Sequence, residues 1–186
     1  MVEPTNHPAR DEWERMLSGE LYVADSPQQQ EANMRKRRLV QAINTSEYDA
    51  FKERDELFHE LFGAFGEGGF VEPPFNCDYG CNTFIGKNFY ANMDCIFLDV
   101  ARITIGDRVF FGPRVGLPYH PIDAAVRSSG PEGAHPITIG NDVWFGGNVV
   151  VGPGITIGDD VVIGAGSVVV KDIPSHSVAV GNPCHV

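Results

Sequence analysis

Apolar residues recur at every sixth position in the C-terminal part of the chain. From Ile137 the sequence divides without remainder into six hexapeptides: ITIGND, VWFGGN, VVVGPG, ITIGDD, VVIGAG and SVVVKD. The third place of each unit is apolar, and glycine follows it in five of the six units. These third-place residues are Ile139, Phe145, Val151, Ile157, Ile163 and Val169. A repeat this short predicts a stacked, solenoid-like architecture.

The period of six favours extended chain over helix. Because side chains alternate along a strand, an even period keeps every third-place residue on one face. Six residues at about 3.3 Å each make a flat side of roughly 20 Å. Three such sides close a triangular coil with an apolar interior, and successive coils pair as parallel strands. A β-sandwich is the alternative, but its strands recur every 8–12 residues or so.

The first third of the chain follows a helical pattern instead. Residues 1–66 hold only 3 of the 21 glycines. Helices are predicted from Asp11 to the residue before Gly19, from about Gln28 to Asn44, and from Ser46 to Phe65. In the last of these, Ser46 and Asp49 suit a helix start, and the apolar residues form one face. We therefore expect a helical segment over 1–66 and a β-helix domain over 67–186.

Composition narrows the classes of function. The chain has 186 residues, of which 42% are hydrophobic and 21% charged, as in soluble globular proteins. Its formal net charge of −11 argues against nucleic acid as a partner. No apolar run reaches the roughly 18 residues of a membrane span, and the N-terminus lacks the layout of a secretory signal. We expect a cytoplasmic protein whose four cysteines are reduced thiols.

The hexapeptide repeat is interrupted between Leu117 and Ile139. The intervening segment, PYHPIDAAVRSSGPEGAHP, predicts a loop around 118–136 that leaves the β-helix. Functional groups are common in such loops. This loop contains His120, whose imidazole is a natural base near neutral pH; a solvent-exposed histidine without a function is the alternative.

Several motifs outside the repeat resemble one enzyme family. GELY, VEPPFNCDYGCN, NFYANMDC and YHPID, together with the hexapeptides, are similar to the hexapeptide-repeat acyltransferases, and within them to the maltose, galactoside and nodulation-factor O-acetyltransferases. The resemblance implies a left-handed parallel β-helix with an N-terminal α-helical segment, assembled as a homotrimer. It also implies that acetyl-CoA is the co-substrate and lies in the groove between the coils of two subunits.

The resemblance also carries site residues onto matching positions. His120 takes the place of the catalytic base. The positions that contact the acceptor are Asp25, Asp78, Tyr90 and Asn92, and those that bind acetyl-CoA are Gly147, Ala165, Val170 and Lys171. Trp144 is expected beside the donor arm, or else as an outward-facing aromatic that covers the coil. Asp78 and Asn92 also suit corner turns, which is the alternative for both.

The expected chemistry is direct acetyl transfer to a hydroxyl group. Neutral His120 takes the hydroxyl proton as the oxygen attacks the thioester, and the imidazolium then protonates the departing CoA thiolate. Some relatives carry serine at the position of Gly147, so here only a backbone N–H group is available to bind the oxyanion. The chain departs from the family in having a shorter stretch, RVGLPY, before His120 and in having His185 where relatives have arginine.

Three other functions are alternatives. The first is acetyl transfer to a non-sugar acceptor, such as an antibiotic, an amino acid or an amine; it retains the acetyl-CoA residues and the base but changes what the acceptor residues bind. A non-catalytic β-helix scaffold is a second alternative. Metal catalysis of the carbonic anhydrase type needs three histidines on one metal, and the loop holds only His120 and His135. We expect no metal.

Overall fold

A computed structural model describes residues 11–117, 130, 132–133 and 135–186. Three helices come first: α1 (Glu12–Ser18), α2 (Pro27–Asn44) and α3 (Phe51–Leu61). The strands that follow in the described residues are β1 (Ala64–Phe65), β2 (Phe70–Val71), β3 (Phe75–Cys77), β4 (Thr83–Ile85), β5 (Tyr90–Ala91), β6 (Cys95–Phe97), β7 (Ile103–Ile105), β8 (Phe110–Phe111), β9 (Gly116–Leu117), β10 (Ile137–Ile139), β11 (Trp144–Phe145), β12 (Val150–Val151), β13 (Thr156–Ile157), β14 (Val161–Ile163), β15 (Val168–Val169) and β16 (Ser177–Ala179).

The strands form three parallel sheets that the chain visits in rotation. Face 1 has the order β1-β4-β7-β10-β13, face 2 the order β16-β14-β11-β8-β5-β2, and face 3 the order β15-β12-β9-β6-β3. From β1 to β15 each strand pairs with the strand three places along the chain, which makes each coil a triangle. Strand β16 pairs with β14, because Ile173, which bridges Ile157 on face 1, belongs to no named strand. We call the corners between faces 2 and 3 edge 2–3, and those between faces 3 and 1 edge 3–1. The expected mainly β fold, a parallel β-helix with a helical N-terminal segment, is confirmed.

The six-residue register explains how the coils stack. Thr138 pairs with Thr156, eighteen positions later, so three hexapeptides complete one coil. All six third-place residues are buried, at 0–1% exposure. Along the axis their rings and aliphatic groups pile up; the Phe111 and Phe145 rings, for example, meet edge to face at 4.6 Å. The apolar interior predicted from the repeat is therefore a continuous column.

Glycine allows the corners of successive coils to touch through their backbones. A Cβ atom on Gly106 would lie 2.6 Å from the carbonyl oxygen of Gly140, and one on Gly140 would lie 2.7 Å from the carbonyl carbon of Gly158. Both contacts are shorter than any real Cβ atom makes, so Gly106 and Gly140 cannot be replaced without a shift of the backbone. Glycine at these corners therefore sets how closely neighbouring coils stack.

The first two helices begin within one residue of the predicted positions and end at the predicted residues, Ser18 and Asn44. The Asp11 side chain accepts a hydrogen bond from the Glu14 N–H at 2.8 Å, and Gly19 ends α1 in the left-handed region. Helix α2 begins with a capping box in which Ser26 and Gln29 bond each other's backbone N–H groups. Local sequence therefore determines these termini.

The predicted start of the third helix is wrong. Helix α3 begins at Phe51, after Ala50, and has no side-chain cap. The Ser46 hydroxyl instead donates to the Ile43 carbonyl at 2.8 Å and accepts from the Arg54 guanidinium at 3.1 Å. Ser46 thus closes the end of α2. The helix also ends early, at Leu61, because the chain turns into β1.

Helices α2 and α3 close the N-terminal end of the apolar column. Leu39 and Ile43 of α2 and Phe58 of α3 are buried in the same core cluster as the coil residues. The Phe58 ring lies 5.8 Å from Phe75, in an edge-to-face contact with the first coil. A packed helix pair thereby covers apolar surface that a bare coil end would expose to water. No helix in the described part of the chain is long and apolar enough to cross a membrane.

We predict that Ile139→Ala lowers the free energy of unfolding by about 2–5 kcal/mol, because it leaves a cavity in the column. The matched control is Thr138→Ala at the neighbouring outward position, which should change it by no more than about 0.5 kcal/mol. Urea unfolding followed by circular dichroism measures both. Equal losses for the two variants would contradict the inward and outward assignment.

Candidate active site

The structure divides the expected site residues between two edges of the prism. Edge 2–3 carries Asn92, Gly147 and Ala165 at corners of different coils, and Tyr90 and Trp144 lie on the adjoining face 2. Edge 3–1 carries Asp78, in the first coil, and Val170 and Lys171, in the last complete coil. Each flat side is roughly 20 Å long, so one chain does not bring the two sets together. The residues assigned to the acceptor and those assigned to acetyl-CoA are both split in this way.

Edge 2–3 is smooth because its corners pack backbone on backbone. A Cβ atom on Gly146 would lie 2.5 Å from the Ala165 nitrogen, and one on Gly112 would lie 2.6 Å from the Gly147 nitrogen. The Gly147 carbonyl accepts a hydrogen bond from Gly166 at 2.9 Å. The Gly147 N–H has no acceptor among the described residues. This edge therefore offers a shallow track and, at Gly147, an unused backbone donor.

Face 2 presents an apolar ladder beside that track. Phe110 and Trp144 pair in register on neighbouring strands, and their side chains are 47% and 55% exposed. The members of this ladder, from the N-terminal to the C-terminal coil, are Phe70, Tyr90, Phe110, Trp144, Val162 and Val178. A contiguous apolar surface of this kind is typical of a protein interface. Burial raises the pKa of Tyr90, which stays a neutral phenol.

Asn92 has a local role in the structure. Its side-chain oxygen accepts a hydrogen bond from the Met93 N–H at 2.8 Å, and its backbone N–H donates to Phe111 at 2.9 Å. Such a contact is typical of an asparagine in a turn. Its amide group is half-buried at edge 2–3, where it still has a donor for a ligand.

A buried carboxylate shapes edge 3–1 in the first coils. Asp99 is fully buried, and one of its oxygens accepts N–H groups of Asp78, Tyr79 and Gly80 at 2.8–3.2 Å. Its other oxygen accepts the Asn82 N–H at 3.2 Å. Burial raises the pKa of this carboxyl, and the hydrogen bonds from the backbone oppose that shift. Asp99 therefore holds the turn that presents Asp78.

Asp78 lines a cavity of about 620 Å³ between edge 3–1 and helix α2. Its backbone oxygen accepts from the Asn33 side chain at 3.5 Å, which links the corner to the helix. The other lining residues are Ala24, Gln29, Gln30, Met34, Arg37, Tyr79, Leu98, Val100 and Glu132. This mixture of amide, charged and apolar groups is suited to a polyhydroxylated ligand.

Asp25 lies at the rim of this region, next to the lining residue Ala24 and just before α2. Its backbone carbonyl accepts from the Gln30 side chain at 2.8 Å, while the residue itself is exposed. Asp25 and Asp78 are therefore on the same side of the molecule, whereas Tyr90 and Asn92 are on the other edge.

The N-terminal segment holds the returning end of the long loop. Tyr22 and Glu132 exchange two backbone hydrogen bonds, at 3.0 and 2.8 Å, and the Tyr22 hydroxyl donates to the Glu132 carboxylate at 2.9 Å. Tyr22 is buried with Met16 and Tyr79, and burial raises the pKa of its phenol. His120, the expected base, lies outside the described residues. Before it, the described chain runs to Leu117, at the end of β9 on face 3.

The remaining residues that were assigned to acetyl-CoA binding are exposed. Val170 is 50% exposed, and Lys171 is also on the surface at the C-terminal end of edge 3–1. In that last corner the Asp172 carboxylate accepts the Thr156 N–H at 2.7 Å, which connects it to the preceding coil. The Lys171 ammonium group is therefore presented to solvent by a fixed corner.

The four cysteines do not provide a nucleophile. All are free thiols. Burial raises the pKa of each of them, that of Cys95 to about 11, so they are protonated near neutral pH. In the described parts of the chain no three His, Cys, Asp or Glu side chains gather as a metal site would require.

Two family models match the chain. Residues 15–66 match the maltose acetyltransferase hexapeptide capping motif, and residues 136–171 match the bacterial transferase hexapeptide, six repeats. Over 175 residues the chain is 43% identical to the galactoside O-acetyltransferase of Escherichia coli, covering 93% of this chain and 86% of that protein. The chain belongs to the hexapeptide-repeat acetyltransferase family.

Solved structures of other family members have the same fold. A maltose O-acetyltransferase from Clostridium difficile 630 matches this hexapeptide-repeat acetyltransferase with a TM-score of 0.93 and 49% identity, covering 96% of each chain. A galactoside acetyltransferase in complex with coenzyme A matches with a TM-score of 0.92 and 42% identity, covering 95% of this chain and 90% of that one.

Sequence reasoning missed four residues of the acetyltransferase that lie in edge 3–1 or line the cavity beside it. Asp99 is an acid inside the apolar run IFLDVA, a pattern that indicates a buried carboxylate. Asn33 and Arg37 are a helical turn apart, but nothing in the sequence says that their helix face lines a cavity. Glu132 sits in the long loop, and its partner Tyr22 is 110 positions away.

We predict that Asp99→Asn lowers the free energy of unfolding by about 1.5–3 kcal/mol, because an amide cannot accept all four N–H groups that the carboxylate accepts. Hydrogen exchange of the 78–82 turn should accelerate. The control is Asp94→Asn, at a left-handed corner position that asparagine tolerates. Unchanged exchange in the 78–82 turn of the Asp99→Asn protein would refute the role given to this carboxylate.

Proposed function

We propose that this protein is an acetyl-CoA-dependent O-acetyltransferase whose acceptor is a sugar or a similar small hydroxylated molecule. One observation carries the proposal: edge 2–3 has a bare backbone track, and edge 3–1 has a polar cavity beside the start of the loop that bears His120. The first suits a slender thioester arm, and the second suits a polyol. The relatives named for maltose and galactoside acetylation, one of them in complex with coenzyme A, support the same assignment.

The proposed active unit is a homotrimer. In a three-fold arrangement, edge 2–3 of one subunit faces edge 3–1 of the next, and this reunites both halves of the acceptor set and of the acetyl-CoA set. The apolar ladder of face 2 adjoins edge 2–3 and supplies the contact surface. Three equivalent sites follow from this symmetry.

In the proposed reaction His120 acts as a general base. Its neutral imidazole takes the proton of the attacking hydroxyl while the new C–O bond forms. The free N–H of Gly147 stabilises the oxyanion of the tetrahedral intermediate. As the C–S bond breaks, the imidazolium returns the proton to the sulfur of the leaving thiolate. The protonated cysteines are consistent with direct transfer, because none is poised to form an acyl-enzyme.

The donor is held by few side chains in this proposal. Ala165 is small enough for the pantetheine arm to lie against the corner, and exposed Trp144 and Val170 flank that arm. Lys171 provides a point charge for a phosphate group. The acceptor contacts Asp78, whose carboxylate suits the hydroxyl pairs of a sugar.

We predict that His120→Ala lowers kcat at least about 100-fold, because the variant lacks its proton acceptor. Free-thiol release from acetyl-CoA is followed with a panel of sugars. The control is His176→Ala, an exposed corner residue whose Nδ1 lies 3.0 Å from Asp160, which should keep the activity. If turnover survives in His120→Ala, that residue is not the required base.

We also predict that Trp144→Asp disrupts the trimer and abolishes acetyl transfer, because it buries a charge in the apolar contact. Sedimentation should find three 20.3-kDa chains in the unmutated protein and one in the variant. Thr138→Asp, an exposed change on face 1, is the control and should leave the assembly intact. A monomeric unmutated protein would contradict the proposed assembly.

A further inference from the structure

The N-terminal segment before α2 contributes a buried tyrosine to the surroundings of the cavity. Tyr22, the last residue of the GELY motif, is 1% exposed and packs with Met16 and Tyr79. It is not among the residues that line the cavity, whereas Glu132 is half-buried and lines the cavity together with Asp78. Tyr22 therefore reaches the cavity only through Glu132.

Three hydrogen bonds fix Glu132 to Tyr22. The two backbones exchange N–H···O bonds at 3.0 and 2.8 Å, as antiparallel strands do, and the Tyr22 hydroxyl donates to Glu132 Oε2 at 2.9 Å. The first two bonds place the backbone of Glu132, and the third places its carboxylate. A glutamate side chain has several rotatable bonds, so without the third bond the carboxylate would sample several rotamers.

The Tyr22 hydroxyl remains a donor because it stays protonated. Burial raises the pKa of this phenol, and the hydrogen bond to Glu132 and the negative charges of Glu132 and Asp78 raise it further. A neutral phenol has one proton to donate, and Tyr22 donates it to the Glu132 carboxylate. The carboxylate is therefore held in one direction throughout the neutral pH range.

The other carboxylate oxygen of Glu132 is left for a ligand. Oε1 makes no hydrogen bond to any residue that the structure describes. A carboxylate accepts hydroxyl protons in short, charge-assisted hydrogen bonds. When its direction is already fixed, less ordering has to accompany the binding of the hydroxyl group. Glu132 Oε1 is thus a prepared acceptor of a hydroxyl proton in the wall of the cavity.

We infer that Tyr22 is a positioning residue of the acceptor site: its hydroxyl sets the direction of the Glu132 carboxylate, and Glu132 Oε1 accepts a hydroxyl group of the acceptor. The inference rests on the proposed function, because it takes this cavity as the acceptor site. It gives the GELY motif a part in the reaction. The N-terminal segment orients a group of the site in addition to covering the end of the column.

The test is Tyr22→Phe, which removes the hydroxyl but keeps the ring and both backbone hydrogen bonds. The KM for the sugar should rise about tenfold, the size expected from a hydrogen bond to a charged group. Both kcat and the KM for acetyl-CoA should stay within about twofold, whereas a merely structural defect would reduce the active fraction and lower kcat. The matched control is Tyr48→Phe, at a 90% exposed tyrosine, which should change none of these constants.

A double-mutant cycle with Glu132→Ala shows whether Tyr22 acts through Glu132. In the Glu132→Ala protein, Tyr22→Phe should raise the KM for the sugar no further, because no carboxylate is left to orient. The same increase in both backgrounds would overturn the inference, since Tyr22 would then act without Glu132. An unchanged KM for the sugar in Tyr22→Phe alone would overturn it as well.

Calorimetric binding of glucose, galactose and N-acetylglucosamine without acetyl-CoA separates the inference from the proposed function. Sugar binding that is weakened by Tyr22→Phe but not by Tyr48→Phe supports the inference even if no acetyl group is transferred, a result that would refute the proposed function alone. Acetyl transfer with the same KM for the sugar in Tyr22→Phe and in the unmutated protein would leave only the proposed function standing. If none of these sugars binds or is acetylated, both are overturned.

Discussion

The register of the stacked coils is the constraint on which the rest of the structure depends. Each corner touches the corner of the next coil through its backbone, as Gly106 does with Gly140, so a coil cannot rotate relative to its neighbours. The place of a residue within its coil therefore decides the edge on which it lies. Gly147 and Asp78 occupy different edges and stay apart in one chain. A site that includes both residues therefore needs two chains. The hexapeptide repeat, by fixing the edge on which each residue lies, is thus the reason for the proposed trimer.

Departures from the regular hexapeptide repeat create the cavity beside Asp78. The early coils are longer than the later ones: Ala64 pairs with Phe84, twenty positions on, whereas Thr138 pairs with Thr156, eighteen positions on. The wider corner at edge 3–1 is filled by the buried Asp99 carboxylate, which fixes the turn that bears Asp78. Helix α2 lies across this corner, and the cavity forms between them. A regular prism would offer only flat faces.

The predictable part of this structure is the part with short-range causes. The burial of the third-place residues follows from an even period, and the ends of α1 follow from Asp11 and Gly19. Ser46 shows where such reasoning fails. Its hydroxyl can either cap the start of α3 or close the end of α2, and a hydrogen bond from Arg54, eight positions away, favours the second arrangement. Asn33 and Arg37 meet the corner only after the chain has folded, since the helix face they share is set by packing. Their place in the cavity was therefore not predictable.

The central claim is that each active site combines edge 2–3 of one subunit with edge 3–1 of the next. The most direct test of this claim uses mixed trimers. His120→Ala removes the proposed base, which the proposal assigns to edge 3–1, and Ala165→Trp fills the proposed donor track at edge 2–3. Each variant alone should be inactive. When the two are co-expressed with different tags and mixed trimers are isolated, the account predicts that part of the activity returns, because some sites then combine an intact edge from each subunit. Mixed trimers that form and remain inactive would contradict it.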